Sequence, residues 1–310
     1  MRRPLKNSDP GAALETASRI LIVRLRSLGD CVLTTPAIHL LKRCKPKVQI
    51  AVIVENAWGE VFQDNPDIAA ILPPVLGKVR SFRPDVCIDL HGGTAATRLT
   101  LLSGAQHRAG FGHFRYRAAY NIHIPRAQEI LGVERKVHTA EHIASAMFYL
   151  GVPRREIPRA RLFATPTTAS RAPYAVIHPV AATQEKTWDP ARFLEVAGFL
   201  KEHHQLDPIF VAAAGQDLSP FARWETVSGA PLAQIKSLIA GATVFAGNDS
   251  GPAHIAAAFG VPSVVLFGPS DPEIWRPWAA PAEVLQANPI GGIESGEVMR
   301  ALDRLRIAAA

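Results

Sequence analysis

Residues 247–254, Gly-Asn-Asp-Ser-Gly-Pro-Ala-His, carry a carboxylate and a hydroxyl between two closely spaced glycines, with an imidazole three residues beyond the second. The apolar run 242–246 before them reads as a buried parallel strand, and the alanine-rich run that follows reads as a helix. A helix start gathers unpaired N–H groups and the positive end of the macrodipole, which suits a phosphate. Glycine lets the backbone come close to such an anion. The same residues also suit a plain capped turn, with Asp249 or Ser250 as N-cap and His254 at the surface.

Two further segments end strands in the same way. The first is Arg24-Leu25-Arg26-Ser27-Leu28-Gly29-Asp30. Proline favours the first helical position, so Pro36 predicts a helix over 36–43 capped by Thr35, with Asp30 in a tight turn before it. A carboxylate in that turn can accept the proton of a substrate hydroxyl, or serve as a cap. The second is His178 to Trp188, in which Lys186 either lies along the surface or neutralises a diphosphate opposite Asp249. Asp89-Leu90-His91-Gly92-Gly93 reads as a strand-end turn or as part of a binding edge, and Phe267 to Pro272 as another strand-end turn. The GxGxxG, GxxxxGK[ST], GxSxG and HExxH patterns are absent, which removes the anchors for dinucleotide, P-loop and common hydrolase chemistries.

The elements that must hold these residues are short β-branched runs separated by helical segments. Strands are predicted over 19–25, 48–54, 86–90, 174–178, 208–213, 242–246 and 263–267, and helices over 36–43, 142–150, 190–203 and 232–240. Continuous apolar runs mark parallel strands covered on both faces. The alternation occurs twice over, giving two doubly wound α/β domains with ligands at the carboxyl ends of their strands. The break is expected in the proline-rich stretch 153–173, so that domains span 19–160 and 161–310 after a disordered segment 1–18.

The chain has 310 residues, 48% of them hydrophobic, and a net charge of +7. That charge favours acidic ligands without indicating nucleic acid. From Leu90 to Gln128 there is no acidic residue, while Arg98, Arg115 and Arg117 lie within. Arginine's planar fork suits phosphate and carboxylate partners, although a solvated basic face fits as well. Three cysteines without a CxxC pair point to a reducing cytosol and to no zinc site. Residues 1–18 lack the apolar core of a signal peptide, and no apolar run approaches the ~20 residues of a membrane helix. A cytoplasmic protein is expected.

Taken together, RLRSLGDCVLTTPAIHLLK (24–42), HPVAATQEKTWDPARF (178–193) and GNDSGPAHIAAAFGVPSVVLFGPSDPEIW (247–275) resemble the inverting glycosyltransferases of the ADP-heptose:lipopolysaccharide heptosyltransferase family, glycosyltransferase family 9. The resemblance covers most of the chain and implies a GT-B fold, two Rossmann-like domains with an interdomain cleft, the donor held by the second. It implies that Asp30 is the general base. It places Thr183, Lys186, Asp249, Ser250, Gly251 and His254 at the donor, ADP-heptose, with no metal and no other cofactor. An acidic lipopolysaccharide-core glycan or glycolipid would be the acceptor, met by Arg98, Arg115 and Arg117 and reached by peripheral contact at the cytoplasmic face of the inner membrane. Two other functions share the architecture: a nucleotide-sugar epimerase, and a non-catalytic nucleotide-sugar-binding homologue. The segment 216–231 is shorter than the family pattern.

Overall fold

The computed structural model describes residues 9–164 and 172–305, divided into two compact units, Met1–Pro158 and Arg159–Ala310.

The first unit runs α1 (Pro10–Thr16), β1 (Arg19–Val23), α2 (Leu28–Cys44), β2 (Gln49–Ile53), β3 (Ala70–Leu72), α3 (Leu76–Ser81), β4 (Val86–Asp89), α4 (Gly93–Leu102), β5 (His107–Phe111), β6 (Ile122–Ile124), α5 (Ala127–Leu131) and α6 (Thr139–Tyr149). Its six strands are parallel in the order β3-β2-β1-β4-β5-β6. Leu21 and Val23 face a core closed by Val79 of α3 and Ala96 and Leu99 of α4. Ile20 and Ile22, which alternate with them, are just as buried on the opposite face. A sheet buried on both sides explains why the central strands read as unbroken apolar runs.

The second unit runs β7 (Tyr174–His178), α7 (Pro190–His204), β8 (Asp207–Ala212), β9 (Glu225–Ser228), α8 (Leu232–Ala240), β10 (Val244–Asn248), α9 (Gly251–Phe259), β11 (Ser263–Phe267), α10 (Pro272–Trp275), β12 (Ala282–Gln286) and α11 (Ser295–Arg304). Its parallel order is β12-β11-β10-β7-β8-β9. Phe193, Val196 and Leu200 of α7 and Val298 and Leu302 of α11 close one core around Trp188 and Phe210. Both sheets are doubly wound α/β layers. Among the described residues no helix is long and apolar enough to cross a membrane.

Two expectations are corrected. Segment 1–18 is not disordered throughout. Residues 1–8 lie outside the described residues, but Asp9 caps α1 by accepting from the Gly11 N–H at 2.9 Å, and Ala13 and Leu14 are buried. A cap, Pro10 in the first turn and two buried apolar side chains suffice to order a seven-residue helix on the unit.

Helix α2 likewise does not start at Pro36; it starts at Leu28 with Ser27 as N-cap and carries Pro36 in its interior. Proline there leaves the carbonyl four residues back without its N–H partner. The Thr35 hydroxyl donates to that carbonyl, Val32 O, at 2.8 Å. The helix therefore continues, and Asp30 lies in its first turn rather than in a preceding loop.

Candidate active site

In the second unit, strand β10 ends on Asn248, which is fully buried. Its Nδ2 donates to the Pro179 carbonyl at 2.8 Å, and its Oδ1 accepts from the Trp188 N–H at 3.1 Å. One side chain thus clamps both ends of the 179–188 loop to the sheet. Trp188 completes the clamp: its indole is buried edge-on to Phe193, centroids 4.9 Å apart, and Nε1 donates to the Ile293 carbonyl at 2.9 Å. Within the loop the Thr187 hydroxyl donates to the Thr183 carbonyl at 2.9 Å, and Lys186 N bonds the same carbonyl at 3.2 Å.

The result is that Lys186 Nζ lies 3.3 Å from Asp249 Oδ2, the lysine one-third exposed and the aspartate nearly buried. Two glycines make this approach feasible. A Cβ on Gly268 would sit 2.7 Å from the Glu185 carbonyl, and one on Gly247 would sit 2.8 Å from the His178 carbonyl. Both clashes would be with backbone, which has little room to yield.

Helix α9 opens immediately beyond Asp249. Ser250 is its N-cap by position, yet its side chain makes no capping hydrogen bond. The hydroxyl turns instead to the Asn248 carbonyl at 3.0 Å and to His178 Nδ1 at 3.1 Å. Burial lowers His178 to about 4, so the imidazole is neutral. With the hydroxyl proton on the Asn248 carbonyl, Nδ1–H is the donor to Oγ. The first turn of α9 therefore leaves the Gly251 N–H to an outside acceptor, because Pro252 has no N–H and the Ala253 N–H turns to the Ser250 carbonyl at 3.2 Å. Gly251 opens that turn, and His254 within it is buried rather than at the surface. Thr183, Lys186, Asp249, Ser250, Gly251 and His254 thus gather on two strand-end segments that Asn248 joins. Among the described residues no group of three or more His, Cys, Asp and Glu is placed to hold a metal ion.

In the first unit Asp30 accepts from the Ser27 hydroxyl at 3.2 Å and faces Arg24 Nη1 at 3.6 Å. Its side chain is about one-quarter exposed, whereas Arg24 is buried. Asp89, at the end of the neighbouring strand β4, is a closed structural node. It accepts from the His91 and Gly92 N–H groups at 2.9 and 2.8 Å and from the Tyr120 hydroxyl at 2.7 Å. Burial raises its carboxyl from the ordinary value against the pull of those bonds. Beyond it the His142 ring stacks on Phe111 at 4.2 Å, and burial lowers it to about 4.

Arg98, Arg115 and Arg117 are all exposed. Arg98 lies on α4, and Arg115 lies 5.4 Å from the Tyr116 ring centroid. The Arg117 carbonyl meets His123 Nε2 at 3.0 Å. Among the described residues no hydrogen bond or ion pair joins any of the three to Asp30.

Sequence reasoning passed over Asn248, Trp188 and His178, which position the donor-side residues. An asparagine at the last position of a buried strand is the one signal that pointed to the clamp, since a buried amide must find partners. We expect Asn248→Ala to leave the Trp188 N–H and the Pro179 carbonyl unsatisfied and to cost roughly 2–4 kcal/mol. Denaturant unfolding would check this; a loss below about 0.5 kcal/mol would show that the clamp carries little weight.

Comparison with known proteins places these features in context. A sequence profile of glycosyltransferase family 9 (heptosyltransferase) matches residues 76–294. Lipopolysaccharide heptosyltransferase 3 of Escherichia coli K12 is 27% identical over 296 residues, 82% of this chain and 83% of its own length. Lipopolysaccharide heptosyltransferase 1 of Pseudomonas aeruginosa is 27% identical over 297 residues, 82% and 79% of the two chains. Among solved structures, a glycosyltransferase family 9 protein of Veillonella parvula superposes with a TM-score of 0.80 at 20% identity, covering 93% of this chain and 97% of that one. An E. coli heptosyltransferase with ADP superposes with a TM-score of 0.76 at 19% identity, covering 93% and 99%. The structural likeness shows the fold, which is GT-B.

Proposed function

Because the chain belongs to glycosyltransferase family 9, the heptosyltransferase family, we propose that it transfers heptose from ADP-heptose to a hydroxyl of an acidic lipopolysaccharide-core or related glycan, inverting the anomeric carbon. The observation that carries this reading is the pairing of Lys186 with Asp249 at the open first turn of α9. A cation beside the uncommitted Gly251 N–H at a helix start forms a receptor for a diphosphate. The curated relatives named above are lipopolysaccharide heptosyltransferases, and one of the superposed structures contains ADP.

Asp30 takes the proton of the acceptor hydroxyl as its oxygen attacks the anomeric carbon. The bond from that carbon to the diphosphate breaks, and ADP leaves carrying the extra negative charge. Lys186 and the Gly251 N–H at the start of α9 meet that charge without a metal ion. Thr183, Ser250, Gly251 and His254 shape the surroundings of the diphosphate and sugar. The acceptor is presented by a glycolipid, so contact with the membrane surface is peripheral.

Thermal unfolding with ADP, UDP and GDP and their sugar derivatives tests the donor. A ligand at a hundred times its Kd stabilises the native state by about 2.7 kcal/mol. We expect a rise in Tm with the adenosine compounds alone. A rise with uridine compounds alone would overturn the ADP-heptose assignment, and no rise with any of them would overturn the transferase reading.

A further inference from the structure

Arg24 is a buried charge of the first unit with an unmet donor. It follows the last residue of β1, at the carboxyl edge where doubly wound sheets receive ligands. The residue is only 6% exposed. Among the described residues its Nε has no hydrogen-bond partner, and its ion pair with Asp30, at 3.6 Å, lies beyond hydrogen-bonding reach. Guanidinium presents five N–H donors in a planar fork, and a buried donor that finds no partner is costly. Burial accordingly pushes Arg24 below its ordinary value, while Asp30, Cys31 and Asp89 pull the other way. Asp89 does not relieve the fork, because its oxygens are taken by His91, Gly92 and Tyr120. The nearby imidazoles of His91 and His142 are themselves held towards the neutral form, partly by Arg24.

We infer that Arg24 is the anchor for an anionic group, a carboxylate or a phosphate, carried by the acceptor close to the hydroxyl that Asp30 deprotonates. A planar fork can face Asp30 with one edge and take two oxygens of the anion with the other. Binding then gives the buried charge a partner and fixes the acceptor hydroxyl relative to Asp30, which is where positional accuracy raises the rate. Arg24 is thus a selectivity and positioning residue, distinct from the exposed Arg98, Arg115 and Arg117. This inference rests on the transferase reading and specifies the acceptor that reading leaves broad.

The test is a substrate-by-mutant cycle. Acceptors are a phosphorylated glycoside of a 3-deoxy-octulosonic acid, its carboxyl methyl ester, and its dephosphorylated form, each assayed with wild type, Arg24→Gln and Arg24→Lys. The wild type is expected to lose about 100-fold in kcat/KM when the anchored anion is neutralised or removed. Sensitivity to esterification identifies a carboxylate, and sensitivity to dephosphorylation identifies a phosphate. Arg24→Gln is expected to lose a similar factor on the intact acceptor, shared between KM and kcat, and then to become indifferent to the same change. Arg24→Lys should recover part of the discrimination, and ADP should still raise the Tm of all three proteins. Arg24→Gln that discriminates as strongly as wild type would overturn the inference. If no acceptor turns over although ADP binds, the transferase reading fails instead. The anchor is then judged by whether the intact glycoside stabilises wild type but not Arg24→Gln; equal shifts, or none, would overturn it.

Discussion

Replacing Asp30 with asparagine is expected to lower kcat for sugar transfer about a thousand-fold while leaving the ADP-induced rise in Tm unchanged. The amide keeps the size of the side chain and can still meet the Ser27 hydroxyl, but it cannot take a proton. General bases contribute about 10²–10⁴-fold, so the central value is the natural expectation. Because ADP is assigned to residues of the second unit, its binding is a control on the integrity of the protein. The substitution also removes the charge facing buried Arg24, so a fall in Tm is expected as well. Activity must therefore be measured well below the transition. A turnover within tenfold of wild type would remove Asp30 from the chemistry.

Lys186→Ala should show the converse pattern, weakening ADP binding and lowering kcat/KM by about 10²–10³-fold. Loss of one preorganised charge at a developing anion typically costs that much. Here the loss is compounded, since Asp249 keeps a nearly buried carboxylate with its cation gone and repels the diphosphate. Asp249→Asn separates the two effects. It frees Lys186 without adding repulsion, so it should retain ADP binding that Lys186→Ala loses. Calorimetric titration of ADP into the three proteins would decide the matter. Equal affinity in wild type and Lys186→Ala would refute the role given to the lysine.

Much of this was legible in the sequence because the central strands and the strand-end segments carry strong local signals. Residues 174–178 and 263–267 coincide with β7 and β11, and 232–240 with α8. Elements at or beside the sheet edges were not legible. Strand β9 (Glu-Thr-Val-Ser) is mostly exposed, and β5 begins with His107 and Arg108, so neither presents an apolar run. Helix α4 opens at Gly93 after its cap Gly92, both at positive φ, where the residues read as a turn and gave no helix signal. At the site, residue types identified Lys186, Asp249 and Asp30, because charge at a strand end is visible in a sequence. Arg24 was not identified, since burial and unmet hydrogen bonds are properties of packing. Nor was the turn of the Ser250 hydroxyl towards His178, which depends on a partner 72 residues away.

The bond from Thr35 to the Val32 carbonyl has an evolutionary consequence. It makes neighbouring positions 35 and 36 interdependent in the order of their change. A lineage that lost the hydroxyl first would leave a buried carbonyl unanswered beside a proline, in the helix whose first turn carries Asp30. A lineage that lost the proline first would restore the N–H, after which position 35 could drift freely. Descendants should therefore retain both residues or discard the proline before the threonine, and the reverse intermediate should be rare.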